Sequence, residues 1–265
     1  MPCYHTIDHK ARETMELMNQ TALITGASGS IGQAIARALA EAGARVAIHY
    51  HAGREAAEQL RATLPGEGHL LVNANIAQPG DIRRMVDEVV QAWGRLDILV
   101  NNAAIYVEHA VEQVSYAEWQ TAFERVIGVN LVGAANACYC AARQMMQQGG
   151  GRIINVGSRG AYRGEPRMTS YGASKAGLHA LSQSLAQELA PHNIYVMAVA
   201  PGFVEGGMAT ADLEGPRGDA IRAQSPLGRV ARPEEVAHVV RFLAAPGSEW
   251  MIGAVVDLNG ASYLR

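Results

Sequence analysis

Ser158 and the quartet Tyr171-x-x-x-Lys175 are the side chains in this sequence best suited to acid–base chemistry. Residues four apart on a helix share one face, so the lysine ammonium is expected beside the tyrosine phenol. A cation there favours the phenolate and predicts a phenol pKa below its ordinary value of about 10. Such a tyrosine can give and take protons near neutral pH. Ser158 closes the apolar run Ile153-Ile154-Asn155-Val156-Gly157, which has the look of a buried strand. A strand end and a helix start can meet over one carbonyl group, and the expected chemistry is hydride transfer.

Those residues need a frame, and the chain supplies a strand–helix alternation. Strands are expected at residues 21–25, 45–50, 69–74, 96–101, 152–156, 194–199 and 254–258. Helices are expected at 31–42, 54–63, 81–93, 116–147, 171–190 and 234–244. The strands are apolar on both faces, as in a sheet covered by helices on both sides. Seven strands interleaved with six helices predict an α/β fold, a doubly wound parallel sheet in one domain over 19–265. Residues 1–18 are expected to be a disordered extension that adds nothing to the core, with Cys3, His5 and His9 inside it forming no metal site. The aperiodic stretch 203–224 reads as a lid.

The turn Thr25-Gly26-Ala27-Ser28-Gly29-Ser30-Ile31-Gly32 follows the first strand and opens the first helix. Free backbone N–H groups at such a helix start attract a diphosphate. A glycine turn alone is equally a tight connection, and the Ser, Tyr and Lys downstream decide for the dinucleotide.

Composition narrows the field. The chain has 265 residues, 49% hydrophobic and 18% charged, with a net charge of −3. That gives no basic patch for nucleic acid and no membrane span. Three cysteines make no disulfide framework, and a cytoplasmic setting is expected.

Taken in order and spacing, the motifs resemble the short-chain dehydrogenase/reductase family over residues 20–260. They are TGASGSIG at 25–32, Asp97-x-Leu99-Val100-Asn101-Asn102-Ala103-Ala104, Val129-Asn130-Leu131, Ser158, Tyr171-x-x-x-Lys175 and Pro201-Gly202. The resemblance implies a Rossmann-type sheet in the order 3-2-1-4-5-6-7. It gives Tyr171 the substrate-oxygen proton, Lys175 the nicotinamide ribose, Ser158 the substrate carbonyl, and Asn130 a water linking Lys175 to solvent. Without the resemblance, Asn130 kinks or caps its helix, and Ser158 satisfies a strand-end backbone group. The cofactor would lie against Gly26, Ser28, Ser30, Ile31, Gly32, Asn75, Ile76, Asn102, Ala103, Ala104, Tyr171, Lys175, Pro201, Gly202 and Val204. Four positions depart from the family pattern: Ser30 and Ala104 stand where glycine is usual, Asn75 for an aspartate, and Gly206 for a threonine.

NAD enzymes place a carboxylate at the end of the second strand. This strand ends Ile48-His49-Tyr50-His51-Ala52-Gly53-Arg54 without one, so His51 and Arg54 are expected to bind a 2′-phosphate and NADP(H) is favoured over NAD(H). The C-terminal segment 253–264 and Ser225-Pro226-Leu227-Gly228-Arg229 look like those of 3-oxoacyl-carrier-protein reductases. Those enzymes dock an acidic carrier through basic residues. Here Gln147, Gln148, Gly149, Gln183 and Gln187 occupy the docking positions, with Arg143 and Arg152 nearby, which weakens the carrier reading. Arg159, Arg163 and Arg167 border the expected substrate cleft and could recognise an electron-rich group, though at least two of the three are expected to be merely exposed, some pairing with Glu165 or a neighbouring subunit. The expectation is a metal-free NADP(H)-dependent carbonyl reductase or alcohol dehydrogenase, and the resemblance implies a homotetramer. The alternatives are a 3-oxoacyl-carrier-protein reductase and, in another class, a non-catalytic cofactor-binding regulator or scaffold.

Overall fold

The computed structural model describes residues 16–265. Seven parallel strands form one sheet: β1 (Thr21–Ile24), β2 (Arg45–Tyr50), β3 (Leu70–Asn73), β4 (Ile98–Asn101), β5 (Gly151–Val156), β6 (Ile194–Pro201) and β7 (Val255–Leu258). Their order is β3-β2-β1-β4-β5-β6-β7, as expected. Successive side chains point to opposite faces, and both faces are apolar. Ile24, Ile48, Val100 and Ile154 join one buried cluster, while Leu23, Ala47, Leu99 and Ile153 join the other.

Helices cover each face. On one lie α1 (Ser30–Glu41), α2 (Arg54–Thr63) and α10 (Pro233–Ala244), contributing Ile35, Leu39, Leu60, Val236 and Val240. On the other lie α3 (Pro79–Trp93), α5 (Ala134–Gln148) and α7 (Thr169–Leu189), contributing Met85, Val89, Ala141, Met145 and Ala186. The helix expected at 116–147 is interrupted. It runs as α4 (Tyr116–Ile127), a π-helical segment Gly128–Gly133, and α5. Gly133 sits against Ile76, where an added Cβ would meet the Ile76 carbonyl oxygen at 2.6 Å. Three short helices complete the set: α6 (Gly160–Arg163), α8 (Thr210–Glu214) and α9 (Gly218–Arg222). The last two give the 203–224 stretch its own structure, a small cluster of Phe203, Ala209, Leu213, Ile221 and Val230.

The expectation for residues 1–18 needs correction at its end. Leu17 is fully buried in the α1/α10 cluster and its N–H donates to the Ala42 carbonyl at 2.9 Å. Glu16 pairs with Arg241 on α10 at 2.6 Å. An isolated leucine ahead of the first strand carries no periodicity, so pattern reading passes it over. Cys3, His5 and His9 lie outside the described residues. Leu17→Ala is expected to destabilise the fold by about 2–5 kcal/mol, the usual cost of emptying a buried leucine site. Denaturant unfolding checks it, and a loss below about 1 kcal/mol would show Leu17 to be peripheral.

Candidate active site

Most of the expected site residues meet at the C-terminal edge of the sheet, where doubly wound sheets bind ligands. The cleft there has a volume of about 670 Å³, within the range of small-molecule sites. Its wall begins at the turn between β1 and α1. Gly26 has φ +64°, and an added Cβ would sit 2.8 Å from the Ala103 Cα. At Gly32 a Cβ would meet the Ala27 Cα at 2.7 Å and the Asn102 Nδ2 at 2.9 Å. Thr25 ties this turn to the end of β4, its Oγ1 accepting from the N–H groups of Asn102 and Ala103 at 3.0 Å each. The Asn102 amide donates to the carbonyls of Thr25 and Gly26, also at 3.0 Å. The N-cap of α1 is Gly29, with no side-chain cap and no acid in the first turn. The helix therefore offers uncapped N–H groups to the cleft, which fits the diphosphate of a dinucleotide.

Two departures from the family pattern turn out to be one. Ser30 faces Gly206 and Gly207: a Cβ on Gly207 would come within 2.9 Å of the Ser30 Oγ, and one on Gly206 within 3.3 Å of the Ser30 Cβ. Side-chain volume added at position 30 is matched by volume missing at 206–207.

The sequence reading passed over His49. It is buried in β2, its Nδ1 accepts from the Gly26 N–H at 2.8 Å, and its Nε2 lies 3.0 Å from the Ala74 carbonyl. One imidazole thus joins the ends of three strands and holds the glycine turn. The available signal was a histidine inside an otherwise apolar strand. A second unforeseen network, Asn101 to Asn155 and Asn155 to Ser182, both at 2.8 Å, braces β4 and β5 against α7.

Gly26, Ser28, Ser30, Ile31, Gly32, His51, Asn75, Ile76, Asn102, Ala103, Ala104, Pro201, Gly202 and Val204 line the cleft, with Ser158, Tyr171 and Lys175. Arg54 does not. It stands on the outer surface of α2, 73% exposed, paired with Glu58 one turn on at 2.8 Å. Of the two residues expected to bind a 2′-phosphate, His51 lines the cleft, beside Ser28, and Arg54 lies outside the lining. Asn75 has its Oδ1 engaged by the Ala77 N–H at 3.0 Å.

At the other end Lys175 is buried, and its ammonium donates to the Val156 carbonyl at 2.7 Å. Burial pushes its pKa down to about 8. Tyr171, one turn earlier, keeps part of its ring exposed, but crowding around the phenol pushes its pKa up to about 12, partly offset by a hydrogen bond with Ser158. The sequence predicted the opposite direction. The ammonium is turned to Val156 and lies 5.7 Å from the Tyr171 ring centre, so desolvation prevails. Tyr106 packs edge-on against Tyr171 at 4.8 Å. Ser158 Oγ also accepts from the Gly160 N–H at 3.0 Å.

Asn130 sits in the π-helical segment and is buried, outside the cleft lining. Its Oδ1 accepts from the Ile105 N–H at 2.8 Å, and its amide donates to the Ile105 carbonyl at 3.0 Å and to Ser174 Oγ at 3.2 Å. Both amide hydrogens are engaged, and the side chain braces the loop after β4 against α7.

A family model described as "Enoyl-(Acyl carrier protein) reductase" matches residues 26–260. The chain is 37% identical over 249 residues to the 3-oxoacyl-[acyl-carrier-protein] reductase of Staphylococcus aureus, covering 93% of this chain and 99% of that protein. The protein of the same name from Thermotoga maritima is 38% identical over 252 residues, with 93% and 98% covered. This chain belongs to the short-chain dehydrogenase/reductase family. The crystal structure of a dehydrogenase/reductase from Sinorhizobium meliloti superposes with a TM-score of 0.86 at 33% identity, over 96% of this chain and 100% of that one. As a family member the chain is an oxidoreductase acting on carbonyl and hydroxyl groups with a nicotinamide cofactor.

Two buried imidazoles make this site acid-sensitive. His49 and His179 are each pushed from the ordinary 6.5 down to about 4, chiefly by burial. His179 lies one turn beyond Lys175 against Gly157, and neither ring nitrogen has a partner among the described residues. The unfolded chain takes up these protons near pH 6.5 and the folded one resists to about 4. Stability is therefore full above pH 6.5 and declines as pH falls toward 4, by up to about 3 kcal/mol per imidazole. His179→Leu is expected to flatten the fall of Tm across that window. An unchanged slope would remove His179 from the account.

Proposed function

We propose that this chain is an NADPH-dependent carbonyl reductase in which Tyr171 protonates the substrate oxygen. The observation that carries the reading is the meeting of two O–H groups, Ser158 and Tyr171, at one point of the cleft wall, with the buried Lys175 one turn beyond. The cofactor supplies the hydride. Gly26, Ser30, Ile31 and Gly32 would hold its diphosphate, Asn102 to Ala104 and Pro201 to Val204 would flank it, and Lys175 would hold the nicotinamide ribose. Ser158 donates to the carbonyl oxygen and stabilises charge developing there. With a pKa of about 12 the phenol is protonated at neutral pH, the state that reduction requires. Two hydroxyl donors at one point suit C=O reduction better than the C=C reduction named by the family model. The absence of any acid at the end of β2, with His51 in the cleft, supports NADPH.

The relatives' names make a 3-oxoacyl group on a carrier protein the second reading. Two of the residues flagged for docking are engaged elsewhere. Gln148 bonds both the N–H and the carbonyl of Leu96, and Arg152 pairs with Glu249. Arg143, Gln183 and Gln187 remain exposed. A homotetramer is proposed as well. Its support is the exposed Ala173, Ala176 and Ala180 along α7, with Val132 in the π-helical segment, Tyr139 on α5, and Trp250 and Leu264 beside β7. Free Cys138 and Cys140 accord with the cytoplasm.

Tyr171→Phe is expected to keep cofactor affinity within about threefold while turnover falls by about a hundredfold or more. NADPH oxidation against a ketone panel, with fluorescence titration of NADPH, measures both. Undiminished turnover would remove Tyr171 from proton transfer, and NADPH binding without turnover of any carbonyl by the unaltered protein would favour a scaffold.

A further inference from the structure

The chain between Ser158 and Tyr171 carries four charged side chains, and the structure separates their fates. Arg167 pairs with Glu108 and also donates to Gln113 at 3.0 Å. Arg163 is exposed and donates to Gln224 at 3.0 Å. Arg159 and Glu165 instead line the catalytic cleft with Ser158, Tyr106 and Tyr171.

Arg159 is 3% exposed. Its guanidinium bonds only neutral acceptors, the Ser262 hydroxyl and the Gln224 amide oxygen, and lies over the Phe203 ring at 5.3 Å. Burial, aided by Arg163, holds its pKa below the ordinary arginine range. Glu165 is half-buried, and its carboxylate receives no hydrogen bond from any described residue. Gly160 makes room for it, since a Cβ there would come within 2.6 Å of the Glu165 Oε1. Burial pushes its pKa up against the pull of Arg163 and Arg159. Each of the pair lies in the other's field, yet among the described residues they form no ion pair with one another.

A half-buried acceptor without a donor and a buried cation with only neutral partners leave complementary hydrogen-bonding demands in one cleft. A hydroxyl group accepts from a guanidinium and donates to a carboxylate. An alkyl chain does neither, and would strip water from a carboxylate that has no other partner. An anion would suit Arg159 but meet the charge of Glu165, and an ammonium the reverse. We propose that Arg159 and Glu165 select neutral carbonyl substrates that bear a hydroxyl group beside the reacting carbon. This assignment of substrate class rests on the carbonyl-reductase reading above.

The test compares hydroxyacetone with acetone, pyruvate, aminoacetone and an acetoacetyl thioester as oxidants of NADPH, with the full-length protein and its Glu165→Gln variant. Glu165 is the better position to change, because Arg159 also ties down Ser262 and Gln224. The expected kcat/KM for hydroxyacetone exceeds that for acetone by about tenfold or more, as for a charged hydrogen-bond partner. Glu165→Gln brings the two within about threefold, mainly by raising KM for hydroxyacetone. Equal use of the two ketones, preference for pyruvate, aminoacetone or the thioester, or a ratio unmoved in Glu165→Gln would overturn the proposal. If no carbonyl oxidises NADPH, the reductase reading fails by itself. Calorimetric titration of propylene glycol then decides the hydroxyl site: binding weakened in Glu165→Gln supports it, and the same heat from both proteins or none overturns it.

Discussion

A buried ammonium with one carbonyl partner is the constraint on which this structure turns. Lys175 has left water almost completely, and its ammonium donates to the carbonyl of Val156, the last residue of β5. A buried cation without a partner is far more costly than one that is held, so this bond pins α7 to the strand end. Two consequences follow from chain geometry alone. Tyr171 is one turn back along the pinned helix, and Ser158 is two residues beyond the pinning carbonyl, so the two hydroxyls meet. Asn130 adds a brace from the opposite side, tying Ile105 to Ser174, the residue before Lys175.

The dinucleotide end is built by the same device, backbone groups held by buried polar side chains. Thr25, Asn102 and His49 satisfy the amides and carbonyls around the Gly26 turn. The N–H groups of α1 remain to meet a ligand. Burial also sets the resting state of the chemistry. The Tyr171 phenol stays neutral at ordinary pH because it is desolvated and the ammonium is turned away. Activation of the phenol is thereby left to whatever next enters the space between it and Lys175.

The strand–helix alternation, the glycine turn and the Ser158–Tyr171–Lys175 constellation were legible because each depends on spacing along the chain or on two-sided apolar patterning, while the strand order came from the family resemblance. What escaped depends on contacts between distant segments. The π-helical break at Gly128–Gly133 was readable only as a kink or cap at Asn130, and its extent goes with contacts to distant segments, Asn130 with Ile105 and Gly133 with Ile76. The direction of the Tyr171 shift required knowing where the lysine points, which a four-residue spacing does not fix. Arg54 falls in the loop-to-helix segment where a phosphate ligand is expected, yet its partner is Glu58 on its own helix. Ser30 and Gly206 look like independent departures in sequence and are neighbours in space.

The most direct test of the central claim is the ionisation of Tyr171 itself. Tyrosinate absorbance would be titrated in the protein and in Tyr171→Phe, their difference isolating one phenol, each with and without NADP⁺. The account predicts a midpoint near 12 in the free protein, moved down by more than about one unit when the ribose hydroxyls occupy the space beside Lys175, and no such movement in Lys175→Met. A free-protein midpoint at or below the ordinary value of about 10 would contradict the burial-controlled phenol. A midpoint indifferent to NADP⁺ would contradict the role of Lys175.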